Sequence, residues 1–475
     1  MIKEVYNYHY NKIKEYQMKS MMKKMTSLLL LIFVFIGLVG CQKVDDKAEE
    51  SPSQEVSSEE NKGEDKEASE VAVSNKAEFE QLKEGEDFHI GLITGTVSQG
   101  EDEFRGAEAA IEKYGKASEG GVIAHDTYPD QFEAEMETTI SKIKAMADDP
   151  LMKAIIVNQS VPGTTAAFTE VRKSRPDILL VNLTPQEDIL MTSKVSDLVV
   201  DADNISRGYR MVLAAKKMGA TKFAHITFPR HMAIETLAIR RTIMEEACKD
   251  LGLEFISLNA PDPTTDIGVP GAQQYLAENI GPWIEKYGKD TAFFTTNDAL
   301  TEPLLRGVAA GGAIFVEPDL PSPIMGYPSA FSIGLDDIAG DWPAILKRVE
   351  EVVVEKGGKD RMGTWAYSLG YTSTVAAVDL VIDVLNGKAD ITNLDDIKKA
   401  FEAKTDGASW AVSNMINMEN GEELSNYALV AQDTYVFGKG YLGMTEEKVD
   451  EKYRKINVNL DEIIEEQKES EGKFE

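Results

Sequence analysis

An α/β protein of two Rossmann-like lobes, each a parallel sheet flanked by helices and joined by a three-crossing hinge, is the fold class that three observations predict. From about residue 86 short apolar runs alternate with amphipathic helical stretches, the signature of βαβ units. That alternation begins again near residue 220, and each set is about the size of one domain. The residues that follow the apolar runs are polar rather than turn-forming alone, as expected where the carboxyl ends of parallel strands face a cleft.

The first set of predicted strands is FHIGLITG (88–95), GVIAHDT (121–127), KAIIVNQS (153–160), DILLVNLT (177–184) and DLVVDAD (197–203). A helix over ISRGYRMVLAAKKMG follows, with Gly219 as its predicted C-cap. The second set is TKFAHITF (221–228), LEFISLN (253–259), DTAFFTTND (290–298) and GAIFVE (312–317), alternating with helices such as MAIETLAIRRTIMEEACKDLG and TEPLLRGVAAGG. LGYTSTVAAVDLVIDVLNGK then reads as a long helix stopped at Gly387. The predicted organisation is a first lobe of 86–203 with 335–362, a second lobe of 204–334, a return helix and lobe completion over 363–450, and a charged, frayed tail over 451–475. Chain crossings are expected near Asp201 to Ser206, Ser322 to Gly334 and Gly363 to Ser368, where Gly, Pro and Ser break the pattern.

Ahead of this region, residues 1–40 read as a signal peptide. Lys23 and Lys24 precede an uncharged apolar run, Leu28 to Val39, too short to span a bilayer but of the length of a signal h-region. The run closes on Leu38-Val39-Gly40-Cys41, which resembles the lipobox of bacterial lipoproteins. That resemblance implies lipid, palmitate among it, on the Cys41 sulfur, and translation starting at Met21 or Met22. Residues 41–85 are rich in Glu, Lys and Ser and nearly lack large apolar side chains through residue 70, so they are expected to form a disordered acidic tether. Cys248, the other cysteine, sits on an apolar helical face and is expected to be a small buried hydrophobe, leaving no disulfide framework.

The formal charge is −31, which opposes binding to nucleic acid or to an anionic bilayer surface. In FHIGLITGTVSQGEDEFRGAEAAIEKYG, Gly95 and Gly100 have the spacing of a phosphate-binding loop, but Glu101 and Asp102 stand where lysine and a hydroxyl are needed and would repel the anion. G-x-G-x-x-G is absent, so no nucleotide cofactor is expected. Ser98-Gln99-Gly100-Glu101 fits a capping box. His225 and His231 lie six apart without paired cysteines, a spacing that fits no zinc site, so no metal is expected. Neither G-x-S-x-G nor H-E-x-x-H occurs, and the chain is expected not to be an enzyme.

Candidate ligand-binding residues follow the predicted strands. They are Thr96, Ser98 and Gln99; Asp126 and Tyr128; Asn158 and Gln159; Thr184; Phe228 and Arg230; and Asn297 and Asp298. Side-chain amides can donate and accept toward a polar solute, and the Arg230 fork could clamp a carboxylate. Each has a bland alternative: Arg230 as a surface ion pair, Asp298 as a helix cap, and Trp342 and Trp365 as core anchors rather than stacking platforms.

The element order, together with IGLITGTVSQGEDEFRGAEAAIEKYG and FFTTNDALTEPLLRGVAAGG, resembles the type I periplasmic binding protein superfamily. More closely, it resembles a bacterial lipoprotein family of uncharacterised function within it, over residues 86 to 445. The resemblance implies a monomeric clamshell that traps a small polar solute outside the cytoplasm. The same resemblance implies that it would be anchored to the membrane through Cys41 and would serve an ABC permease. A ligand-sensing lipoprotein reporting to a membrane sensor is the alternative, and a secreted hydrolase of glycosides or nucleosides comes third. In sugar-binding relatives an Asn-Asp pair places its Asp on ligand hydroxyls, which Asn297 and Asp298 match; Thr301-Glu302-Pro303 departs from the small residues usual after that pair.

Overall fold

The computed structural model describes residues 76–417, 420–456, 458–460 and 462–465. All of them belong to one compact unit, Val71–Glu475. The predicted leader, Cys41, most of the tether and residues 466–475 lie outside the described residues. Among the described residues no helix is long and apolar enough to cross a membrane.

The strands are β1 (His89–Thr94), β2 (Ile123–Thr127), β3 (Met152–Asn158), β4 (Leu179–Leu183), β5 (Leu198–Ala202), β6 (Lys222–Thr227), β7 (Glu254–Asn259), β8 (Thr291–Thr295), β9 (Gly363–Trp365), β10 (Trp410–Ile416), β11 (Glu423–Gln432), β12 (Thr434–Val436) and β13 (Gly440–Tyr441). The helices that frame the argument are α1 (Val97–Tyr114), α2 (Met136–Ala147), α3 (Thr164–Ser174), α4 (Asn204–Lys217), α5 (Glu235–Leu251), α6 (Gly268–Tyr287), α7 (Thr301–Gly311), α8 (Trp342–Val353) and α9 (Leu369–Leu385).

The first lobe is a seven-stranded sheet in the order β10-β11-β5-β4-β3-β1-β2. It is parallel except for β10, which runs antiparallel to β11. Its buried strands carry apolar residues on both faces, as a doubly covered sheet requires. Ile90, Leu92, Ala154 and Ile156 point to the α1 and α9 side, while Ile93, Ile155 and Val157 point to α2 and α3. α1 and α9 cross closely at Gly106, where a Cβ would stand 2.8 Å from Thr374 Cβ.

The second lobe holds the parallel sheet β7-β6-β8. Residues 312–317, expected to be a full strand, contribute only bridges at Ile314 to Ala292 and Phe315 to Met362. Pro318 follows directly and has no N–H to extend a ladder. Phe315 thereby links this sheet to the antiparallel ribbon β13-β12-β9.

Three crossings join the lobes, and two of them match expectation: Asp203, between β5 and α4, and Ala366 to Ser368, between β9 and α9. The third is Asp433, between β11 and β12, and not Ser322 to Gly334. The latter segment stays within the second lobe, where Tyr327 is buried against Phe315 and Phe437. Residues 335–362 also belong with the second lobe rather than the first. Trp342, Ile345, Val349 and Val353 of α8 bury the apolar stripe of that helix in the core shared with Ile226, Phe293 and Leu304. The C-terminal segment is anchored at its start: Tyr453 is 2% exposed, its ring lies 4.9 Å from that of Tyr209, and its hydroxyl donates to Asp250.

The crossings are tied to one another. Gln432 Oε1 accepts from the backbone N–H groups of Ala366 (2.7 Å) and Tyr367 (3.1 Å), and its Nε2 donates to Tyr367 O at 3.1 Å. Asp203 N donates to Val430 O at 2.8 Å. Asp433 accepts from Gly443 N and Met444 N. Each crossing is short and laced to its neighbour, so relative movement of the lobes is confined to a few backbone torsions.

Candidate functional site

Between the lobes lies a cavity of about 520 Å³, at the carboxyl ends of the first sheet's strands. That is the position at which open parallel sheets bind ligands, and the size suits a small organic molecule. The first lobe supplies Gln99 through Glu103, Gln159, Thr184, Gln186 and Asp201; the second supplies Asn204, Arg207, Leu237, Arg240 and the loop Asp319–Met325. Trp365, Ser368, Leu369 and Gly370, at a crossing, close the back.

Gln159 and Thr184 hold positive φ angles, 47° and 45°. Such a backbone is uncommon for any residue with a Cβ and costs most for a β-branched one, and this kind of strain gathers at ligand sites. The two residues end β3 and β4 at the cavity wall, turning their side chains out of strand alternation.

α1 begins irregularly. Gly100 has φ −158° and ψ 73°, so the helix is kinked there. The predicted capping box does not form: Ser98 Oγ donates to Asp130 Oδ2 at 3.2 Å, and Glu101 pairs with Arg105 at 3.2 Å. Glu103 lies on the buried face of α1, in line with Ala107 and Ala110. Its carboxylate is 2% exposed, fills the space in which a Gly100 Cβ would sit, and leaves Oε1 without a hydrogen-bond partner. Burial pushes its carboxyl up to about 7. Burial likewise raises Asp102 to about 6 despite a hydrogen bond from Ser368. Asp201 rises to about 7 for the same reason, opposed by the Ala202 N–H and the Tyr427 hydroxyl.

The basic groups of the cavity are already engaged. Arg207 Nε donates to Glu317 Oε1 at 3.0 Å, its other nitrogens reach Asn204 Oδ1, Pro318 O and Asp319 O, and its guanidinium lies 5.4 Å from the Trp365 ring centre. Arg240 donates to Asp319 and, at 3.2 Å, to Asn204 Oδ1, and stacks over Phe294.

Of the twelve residues singled out by sequence, the cavity collects Gln99, Gln159 and Thr184. Thr96 and Ser98 instead bind Asp130 at the surface, and Asp126 pairs with Lys142 at 2.9 Å. Tyr128 and Phe228 are core residues, each at most 1% exposed. Arg230 forms the surface pair with Asp262 at 2.6 Å. Asn297 caps a short helical turn through Ala299 N. Asp298 stands beside the cavity loop, accepting from Leu320 N at 3.4 Å, and burial with the neighbouring Asp319 charge raises it to about 7.

Asn158 is fully buried and serves as a tie. Its Nδ2 donates to Gly370 O (2.9 Å), Ser373 Oγ (3.1 Å) and Thr374 Oγ1 (2.7 Å), while Oδ1 accepts from Gln159 N and Thr184 Oγ1. It thus fixes the first turn of α9 against both strained strand ends. Asn158→Ala is expected to cost about 3 kcal/mol, since several buried partners lose their bonds together. Urea denaturation checks this.

Elsewhere, Cys248 is the buried hydrophobe expected, its thiol pushed up to about 12 by burial. Trp342 is a core residue, whereas Trp365 is both core and cavity wall. His225 is fully buried among Phe255 and Phe294. Among the described residues no group of three or more His, Cys, Asp or Glu side chains converges as metal ligands would.

Residues 88–363 match the profile of a family described as a protein of unknown function, DUF3798. Two proteins of Treponema pallidum strain Nichols, each described as uncharacterized, are similar. One is 43% identical over 180 residues, 38% of this chain and 81% of the relative. The other is 37% identical over 210 residues, 44% of this chain and 95% of the relative. Among solved structures, a protein of Clostridium difficile 630, described provisionally as a transcriptional regulator, superposes with TM-score 0.68 at 24% identity, covering 74% of this chain and 99% of that one. That likeness shows the fold. A glucose-galactose binding protein of Geobacillus stearothermophilus aligns more loosely, at TM-score 0.36 and 15% identity over 64% of this chain and 93% of that one.

Proposed function

The chain belongs to the DUF3798 family, whose function is unknown, and from its geometry we propose that it is a solute-binding protein that encloses a small molecule between two lobes. The carrying observation is the cavity of about 520 Å³ at the strand ends, lined from both lobes and backed by short crossings. Closure would follow from contacts that the solute makes only when the lobes meet around it.

The reading extends to location and partner. The lipobox-like Leu38-Val39-Gly40-Cys41 supports export and a lipid anchor on Cys41, and an ABC permease would receive the solute. A membrane sensor reading the same closure is the second form of the hypothesis. The reading includes no catalytic step. The raised carboxyls favour one rival, hydrolysis of a bound glycoside, which turnover of such a substrate would establish.

The test is a thermal-shift screen of sugars, nucleosides, amino acids and amines against the full chain. A ligand at one hundred times its Kd should add about 2.7 kcal/mol of stability. Silence across all classes would defeat the proposal.

A further inference from the structure

The cavity also carries information about what it holds. We propose, resting on the solute-binding reading, that the ligand is an organic cation with an apolar body, a protonated amine whose nitrogen pairs first with Glu103.

Charge makes the first argument. Five carboxylates line the cavity against two guanidiniums, and both guanidiniums are held by Glu317, Asp319 and Asn204. Glu101 is neutralised by Arg105 at the rim. Asp102, Glu103 and Asp201 have no ion pair among the described residues. An anionic solute would meet these groups with no cation free to receive it, at a cost that low dielectric magnifies.

The buried, unpartnered oxygen makes the second. A carboxylate 2% exposed, with Oε1 unbonded on a residue that lines the cavity, is costly unless something arrives to pair with it. A neutral hydroxyl would satisfy one lone pair yet leave the charge uncompensated. An ammonium supplies both the donor and the opposite charge, and reverses the desolvation that holds the carboxyl high.

The walls make the third. Leu237, Leu320, Pro321, Ile324, Met325 and Leu369 give the cavity a largely apolar surface, with Leu320 59% exposed on the cavity loop. A small, strongly hydrated inorganic ion would gain nothing from such walls, and the carboxylates do not converge into a metal-ligand group. An amine on a hydrocarbon or aromatic frame uses both features.

The experiment uses the full chain. Solute retained through purification is identified by native mass spectrometry, and binding of tryptamine, spermidine, tryptophol, glucose and indole-3-acetate is measured by calorimetry in parallel. The proposal expects a basic nitrogen in any retained solute and binding of an amine but not of tryptophol or indole-3-acetate. It also expects at least tenfold weaker amine binding in Glu103→Gln and in Asp201→Asn, with Ser98→Ala, outside the cavity, unchanged. Circular dichroism verifies that the variants are folded. A retained or bound solute that is neutral or anionic, with affinity indifferent to Glu103→Gln, overturns the cation assignment and leaves the solute-binding reading intact. Absence of any retained or bound solute overturns both.

Discussion

Replacing Glu103 by glutamine is expected to stabilise the ligand-free protein by about 3 kcal/mol at pH 8, with the gain shrinking toward pH 5. An ordinary glutamate titrates near 4.5, and burial holds Glu103 near 7. Between those values the folded protein keeps a proton that the unfolded chain has released. The contribution is favourable at low pH and is lost as the pH rises through 7, when the folded state must carry the buried charge. Glutamine has the shape without the charge. Urea denaturation of both proteins at pH 5 and pH 8 checks the sign; a variant less stable than wild type at pH 8, or a difference independent of pH, would contradict the assignment. A residue that destabilises its own fold is the pattern expected where binding sets the requirement.

Arg207→Ala is expected to lower stability by about 4 kcal/mol, the cost of leaving a buried carboxylate without its partner. Arg207 and Glu317 are 3% and 2% exposed and 2.9 Å apart, and Thr434 at the third crossing donates to the same Glu317 at 3.3 Å. Arg207 therefore binds the start of α4 to the strand-end segment of the second lobe and to the hinge. The double variant Arg207→Ala, Glu317→Ala should recover part of the loss, because removing both charges leaves none buried alone. Chemical denaturation of the four proteins in that cycle gives the coupling. A loss below 1 kcal/mol in the single variant would show that the pair does not hold this junction.

The parallel strands β1 to β8 were legible in the sequence, most clearly β1, β3 and β4, which are buried on both faces, whereas β9 to β13 were not. FHIGLITG and KAIIVNQS are continuous apolar runs with no helical period, and β1 and β3 fall within two residues of the expected limits. The cavity was legible only at strand ends, and there only in part. Gln159 and Thr184 could be placed because each directly follows a strand.

Glu103 could not be placed by that rule, since it lies within a helix: it stands four residues before Ala107 and seven before Ala110, on the buried face of α1, where a carboxylate is the residue least expected. The available signals were that spacing and a glycine inside an otherwise helical pattern. In sequence a ligand-facing amide and a buried amide look alike, and Asn158 shows its structural role only when the fold brings Gly370 and Thr374, more than two hundred residues away, onto it. The segment Ser322 to Gly334 reads as a hinge from its Gly, Pro and Ser, and the cavity loop Asp319–Met325 overlaps its start. The apolar members of that loop, Leu320, Ile324 and Met325, are the sequence sign that it lines a cavity.

The central claim is that two lobes close on a solute held between them. X-ray scattering of the full chain, measured free and saturated with the solute recovered from it, tests this most directly. The account predicts a smaller radius of gyration and a shortened maximum dimension on saturation. Superimposable profiles at full occupancy would contradict it.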